Sequence, residues 1–202
     1  MHCGRGAHVW LALLLMALVV GGCGSSKKSS SSASGGAGGA NSPAAEAQAA
    51  ATGDIPDNQV FLTFRNPSSG YSIVYPEGWA KTGSGDKVTF QDKNNVIYIA
   101  VQRGSKPTVS SVEAGVAKLK ASTPSVKVAS AQTMTIGGQS VVKATYSSES
   151  QPNPVTGKRV RLVVDRYAYY KAGRVALVDL GTAAGVDNVD AYRMISRSFK
   201  WQ

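Results

Sequence analysis

The stretch that most constrains the fold spans residues 70–79, with the sequence GYSIVYPEGW. Its first half alternates larger and smaller side chains, in the order Tyr71, Ser72, Ile73, Val74 and Tyr75. This period of two predicts a β-strand with one well-buried face. Pro76 ends the strand because proline has no N–H to donate to a neighbouring strand. The turn that follows brings in Trp79, whose large ring we expect at the rim of a core.

Residues 1–22 predict a lipoprotein signal peptide. Arg5 precedes an apolar run over residues 9–20, which is too short to cross a hydrocarbon core of ~30 Å comfortably. Residues 20–23, VGGC, resemble a bacterial lipobox, in which small residues admit the peptidase and the thiol accepts the lipid. We therefore predict acyl and diacylglycerol groups on Cys23 and anchoring to the outer face of the plasma membrane. The alternative is an ordinary signal peptide that contains a cysteine.

Residues 23–58 predict a tether between the lipid and a folded domain. Runs of Ser, Gly and Ala cannot bury enough apolar surface to offset the entropy of ordering. A flexible chain of this length has a reach of roughly 30–35 Å, which lifts a domain clear of the lipid headgroups. The remaining residues, 59–202, have the length of one ordinary domain.

The use of histidine and cysteine excludes several kinds of enzyme. All four such residues lie in the first 23 positions: His2, Cys3, His8 and Cys23. Cleavage before Cys23 would leave a folded domain without histidine or thiol, so a serine–histidine–aspartate triad, a cysteine nucleophile, a histidine-bound zinc and a disulfide are all excluded. We predict that the protein is not an enzyme.

The chain has a formal net charge of +10, which favours anionic neighbours. An exported protein does not meet nucleic acid, so we expect an unidentified envelope protein or an anionic polymer as partner. We expect the domain itself to be a monomer.

The order of elements in residues 59–202 predicts an α+β domain with an antiparallel sheet. Strand patterns occur at residues 60–64, 71–76, 87–91, 96–101, 126–136, 139–146, 159–170 and 174–181. Runs of strands interrupted by single helices favour antiparallel pairing over a doubly wound sheet. The Gly137-Gly138 pair predicts a two-residue hairpin turn.

Two helices are predicted. The first begins near Ser110, whose spacing from Glu113 fits a capping box, and it stacks three apolar residues on one face: Val112, Val116 and Leu119. The second spans about residues 188–198 with Asp187 as its N-cap. We expect it to turn three side chains inward: Val189, Tyr192 and Ile195.

The stretch at 70–79, together with a terminal helix that runs into Ser198-Phe199, resembles the PsbP-like domain family. The resemblance covers about residues 60–202 and implies an antiparallel sheet sandwiched between helices. One branch of this family contains extrinsic subunits of photosystem II that help retain calcium and chloride. The other contains lipoproteins of Gram-positive, often actinobacterial, envelopes, and the lipobox with its long tether is similar to that second branch.

Three acidic groups invite a metal-binding interpretation. Asp86 and Asp92, with Asn94 and Asn95, flank one predicted hairpin, and calcium favours such oxygen ligands. Asp and Asn are also the residues that tight turns select, so we expect no metal and no cofactor beyond the lipid on Cys23. We assign Asp187, Asn188 and Asp190 to helix capping, and Asp165 and Asp179 to ion pairs with arginines of neighbouring strands.

The densest basic cluster surrounds the last two long strands. Its members, with two tyrosines, form a candidate partner-binding face: Arg159, Arg161, Arg166, Arg174, Tyr167 and Tyr169. Guanidinium groups beside phenol rings suit phosphates, sugars or carboxylates. The alternative is a solvated edge strand whose charges prevent aggregation.

These observations predict a non-catalytic, lipid-anchored envelope protein with a PsbP-like binding or scaffold domain. One alternative is a carrier of a small ligand or lipid in an apolar pocket between sheet and helix. The resemblance also allows an accessory subunit of a photosynthetic, oxygen-evolving complex with a calcium-related role.

Overall fold

The computed structural model describes residues 53–153 and 155–202. The predictions for the signal peptide, for the lipid acceptor Cys23 and for most of the tether lie outside the described residues. The rest of the chain forms two antiparallel sheets and two α-helices, which confirms the predicted α+β class.

The strands and helices follow one another in the order β1 Phe61–Asn66, β2 Tyr71–Pro76, β3 Ala80–Ser84, β4 Lys87–Asp92, β5 Asn95–Arg103, α1 Val109–Lys118, β6 Lys127–Ile136, β7 Gln139–Glu149, β8 Arg161–Lys171, β9 Arg174–Ala183, α2 Val189–Ser198 and β10 Lys200–Trp201. A 3-10 turn, Leu119–Ala121, follows α1.

Seven strands form the larger sheet, in the order β3-β4-β5-β9-β8-β7-β6. All neighbouring pairs in it are antiparallel, including β5 with β9, which brings together strands separated by α1 and three other strands. The smaller sheet has β2 between β1 and β10.

The first core joins the smaller sheet and α2 to one face of the larger sheet. Its centre is a set of stacked aromatic rings. The ring centroid of Phe199 lies 4.3 Å from that of Tyr169 and 5.6 Å from that of Tyr71. Two aromatic contacts of Phe199, which follows α2, therefore hold together three elements distant in sequence, namely β2, β8 and the end of α2.

The second core lies on the opposite face of the larger sheet, beneath α1. Val112 and Val116 of α1 pack there against side chains of β7 and β8. Because successive residues of a strand point to opposite faces, Tyr167 enters the first core while Ala168 enters the second. The larger sheet is thus covered on both faces, with a helix on each side.

Strand β2 differs from its prediction because both of its faces are covered. Ser72 is only 6% exposed, although the alternation places it on the open face of the strand. Its neighbour Tyr71, which points to the other face, is fully buried. Gln202 donates to the Ser72 hydroxyl, and Ser198 at the end of α2 accepts from the N–H of Val74. Contacts with residues at and after the end of α2 therefore cover the face of β2 that the alternation leaves open.

The caps of both helices also differ from their predictions. Thr108, not Ser110, caps α1, and its capping box closes with Ser111 rather than Glu113. At α2 the N-cap position is Asn188, while the Asp187 carboxylate accepts from the N–H of Val189. Val189, which we expected to face inward, is 61% exposed, whereas Tyr192 and Ile195 are buried as predicted.

Candidate ligand-binding groove

A groove of about 410 Å³ lies between α2 and the face of the larger sheet that belongs to the first core. We call it the α2 groove. Its sheet wall comes from β6 to β9, and its helix wall from a stripe of α2 at the spacing i, i+4, i+7 and i+8: Val189, Arg193, Ser196 and Arg197. Tyr192 also reaches the groove, while Ile195 on the other side of α2 is fully buried. One helix therefore closes the first core and forms a wall of the groove.

Apolar side chains remain uncovered in the α2 groove. Val163 of β8 is 41% exposed, and Val189 of the helix wall is 61% exposed. Met134 of β6 is half-buried in the same lining. Uncovered valine and methionine in a concave site favour an apolar ligand, because burying them on binding releases water from their surfaces.

The charged centre of the groove is an ion pair across two strands. The ammonium of Lys143 lies 2.8 Å from the Asp165 carboxylate, and Thr145 donates to the same carboxylate at 2.5 Å. The ammonium also lies 5.5 Å from the ring centroid of Tyr167. Burial alone lowers the pKa of Lys143, but the Asp165 carboxylate and the Tyr167 hydroxyl outweigh it and raise the pKa above its ordinary value. Lys143 is therefore a fixed cation.

Arginines at the helix wall make the groove positive overall. Arg193 pairs with Asp190 one turn earlier, at 2.7 Å and in an exposed position. Arg197 has no ion-pair partner among residues 53–153 and 155–202. Since Lys143 and Arg193 have partners, Arg197 is the cation that a negatively charged end of a ligand could engage.

A buried amide network closes one end of the groove. Asn188 donates to Asn95 and to Thr182, each at 3.1 Å, and accepts from the N–H of Ile55 at 2.7 Å. Asn95 donates in turn to the carbonyl of Gly53 at 2.6 Å. The network fastens the first described residues of the domain to the start of α2. Sequence reasoning assigned Asn95 to a turn and Asn188 to a cap, because nothing local shows that the two amides meet.

The six residues of the predicted basic face do not form one exposed surface. Arg166 is 6% exposed and binds Asp179 with two nitrogens at 2.7 Å each. Tyr167 and Tyr169 are buried in the first core. Arg174 donates to the carbonyl of Ser69, and its guanidinium lies 5.0 Å from the Trp201 ring. A partner-binding role stays a prediction for Arg159 and Arg161, which are exposed.

The acidic candidates are also separated. Asp86 precedes β4 and accepts from the Ser69 hydroxyl at 2.7 Å, whereas Asp92 ends the same strand. At about 3.3 Å per residue the two carboxylates lie roughly 20 Å apart, so they cannot share a cation. In the part of the chain that the structure describes, no three metal-ligating side chains come together.

Ion pairing across strands, which we expected for Asp165 and Asp179, is confirmed. Asp179 faces Arg166 directly in the register of β8 and β9, and Tyr146 adds a hydrogen bond to the same carboxylate at 3.1 Å. Asp165 pairs with a lysine of β7 rather than with an arginine.

This architecture defines a PsbP-like fold: a large antiparallel sheet with a helix on each side and a short sheet over one core. The solution structure of a cyanobacterial PsbP, CyanoP from Synechocystis sp. PCC 6803, matches with a TM-score of 0.56 at 16% identity, over 74% of this chain and 98% of its own. The Saccharomyces cerevisiae Ran-binding protein Mog1p matches with a TM-score of 0.49 at 9% identity, over 71% and 96%. No protein-family model and no curated protein sequence matches the chain.

Proposed function

We propose that the chain is a non-catalytic, lipid-anchored bacterial lipoprotein of the cell envelope whose PsbP-like domain is a binding module. The observation that carries the proposal is the α2 groove, which combines uncovered apolar side chains with a fixed ion pair and a free arginine. Such convergence of a few polar groups in an apolar concavity is typical of binding sites.

The chemistry of the groove supports binding rather than catalysis. The ion pair of the groove's sheet wall joins Lys143 to Asp165, so each of these charges is held by the other and not by a reacting group. The hydroxyl of Ser196 donates to the carbonyl of Arg193 in the turn before it, and no histidine lies beyond position 8 to act as its base.

Anchoring rests on Cys23 and on its lipobox. Within residues 53–153 and 155–202, no helix combines the length and the apolar character that crossing a bilayer requires. We expect the wild-type protein to fractionate with membranes and to carry the mass of a diacylglycerol and an acyl chain. Cys23→Ser should abolish both the added mass and the lipid-dependent fractionation. Unmodified wild-type protein in an envelope preparation would overturn the anchor.

A second candidate function, a carrier of a small apolar ligand or lipid, is favoured by the exposure of Val163 and Val189. A single acyl chain would cover both valines and leave its carboxylate near Arg197. Each methylene that it buries contributes about 0.8 kcal/mol, so the affinity should grow with chain length.

Isothermal titration of the full-length protein with dodecanoate tests the groove. We expect binding that strengthens from octanoate to dodecanoate and that is lost in Val163→Trp, which fills the groove. Val160→Trp is the matched control, because Val160 is 37% exposed but lies outside the groove lining. Equal losses in both variants, or dodecanoate binding that Val163→Trp leaves intact, would refute the α2 groove as the binding site.

A further inference from the structure

A second pocket, of about 260 Å³, lies on the other side of the larger sheet. We call it the α1 pocket. It is enclosed by the start of α1, by residues 104–107 that lead into the helix, and by a floor of Arg166, Val175 and Leu177. Its volume is slightly below the range of about 300–1,000 Å³ for drug-sized ligands, which indicates a small occupant.

Arg166 adds a charged side chain to the lining of this pocket. Its Nε and Nη2 donate to the two oxygens of Asp179, and the guanidinium lies 5.5 Å from the ring centroid of Tyr146. Nη1 has no hydrogen-bond partner among the described residues. Arg166 lines the pocket and is otherwise only 6% exposed, so Nη1 is the guanidinium nitrogen left for a ligand.

The surroundings of this nitrogen favour a negative ligand. Lys106 borders the pocket and is exposed. The first turn of α1, which contributes Ser111 and Val112 to the lining, contains no acidic residue to compensate the positive end of the helix. Asp179 neutralises the charge of Arg166, so Lys106 and the helix terminus supply the excess positive potential.

Gly115 keeps the pocket open. Glycine inside a helix is less stable than alanine, and a close contact with a neighbour normally accounts for its presence. A Cβ at Gly115 would meet no atom within 4 Å, so no close packing requires this glycine. The space next to it is bounded by apolar side chains of Val112, Val175 and Leu177.

We propose that the α1 pocket binds a small organic acid, with its carboxylate on Nη1 of Arg166 and its apolar part against Val112, Val175 and Leu177. The guanidinium is held by Asp179 before the ligand arrives, so little side-chain entropy is lost on binding. The site is independent of the α2 groove, because it lies on the opposite face of the sheet.

Benzoate and benzamide are suitable probes, since they share a shape and differ in charge. In ligand-observed NMR with the full-length protein, we expect benzoate to bind at least tenfold more tightly than benzamide. Gly115→Leu should fill the pocket and weaken benzoate binding at least tenfold without unfolding the helix. Lys106→Gln should weaken it several-fold, while Lys120→Gln, an exposed site outside the pocket, should not.

Four results would overturn this site. Equal affinity for benzoate and benzamide would show that no cation recognises the carboxylate. Benzoate binding that survives Gly115→Leu, or that is lost in Val163→Trp, would place the ligand outside the α1 pocket. The absence of benzoate binding at about 10 mM, an affinity below about 3 kcal/mol, would also reject it.

Discussion

The charged residues of β8 and β9 show which side-chain contacts the sequence predicts and which it does not. The sequence places Asp165 and Asp179 on neighbouring strands among arginines, which is enough to predict ion pairs. It does not predict that Arg166 is buried, because its exposure depends on α1 covering that face of the sheet. Strand parity correctly groups Tyr167 with Tyr169, but it cannot tell a core face from a solvated one when both faces are covered.

Removing Asp179 should destabilise the domain strongly, because the buried Arg166 would lose the carboxylate that holds two of its nitrogens. Asp179→Ala should lower the free energy of unfolding by about 3–5 kcal/mol, measured by urea denaturation. Asp190→Ala, which breaks the exposed pair with Arg193, should cost about 0.5 kcal/mol or less. Similar costs for the two variants would contradict the buried pair.

Two glycines with open surroundings should respond in opposite ways to alanine. Gly115→Ala should raise the free energy of unfolding by about 0.5–1 kcal/mol, because alanine has a higher helix propensity than glycine and nothing obstructs its methyl group. Gly173→Ala should lower it by about 1 kcal/mol, since Gly173 has φ +78° in the β8–β9 turn. Chemical denaturation gives the free energy of unfolding of each variant. Changes of the same sign in the two variants would refute the different backbone roles assigned to these glycines.

The sequence correctly predicts the position of α2 and two of its three inward-facing residues, Tyr192 and Ile195. Val189 was assigned inward, but it is the first residue of α2 and is 61% exposed. Strand β3 was not predicted, because Ala80–Ser84 contains no alternation of apolar and polar residues and all five residues are exposed. Strand β10 has only two residues, too few for any pattern.

The end of α2 should be far more sensitive than its beginning. Phe199→Ala removes the ring that stacks between Tyr71 and Tyr169 in the first core and should cost about 3–5 kcal/mol. Val189→Ala should change the free energy of unfolding by about 0.5 kcal/mol or less, because this side chain is exposed. Thermal or urea unfolding distinguishes them, and a costly Val189→Ala would contradict the placement of α2.

At the scale of the whole molecule, the fold class follows from the order of strands and helices and from one strand-and-turn motif. The α2 groove does not follow, since Met134, Val163 and Val189 come together only through the register of four strands and the docking of α2. The α1 pocket depends in the same way on β5 pairing with β9 across the interval that contains α1. Neither site leaves a local motif in the sequence.

Buried tyrosines should make the domain sensitive to alkaline pH. Burial is the largest cause that raises the pKa of Tyr71, Tyr146, Tyr169 and Tyr192 above the ordinary value of 10.0. Above about pH 10 the unfolded chain loses these protons while the folded domain keeps them, so the free energy of unfolding falls as the pH rises.

Urea denaturation followed across that range measures this fall, and tyrosinate absorbance should rise together with unfolding. Tyr169→Phe should reduce stability at neutral pH, because it removes the hydrogen bond to the carbonyl of Ser196, and should make the alkaline fall shallower. A free energy of unfolding that stays level as the pH rises through 10 and beyond would be inconsistent with four buried phenols.

The central claim is that the α2 groove is a binding site, and methyl NMR of the full-length protein with dodecanoate tests it most directly. We predict shifts in the methyl signals of Val163, Val189 and Leu180, which line the groove, and none in Val112 and Val116 of α1. Methyl signals that do not move, or that move only beneath α1, would contradict the claim.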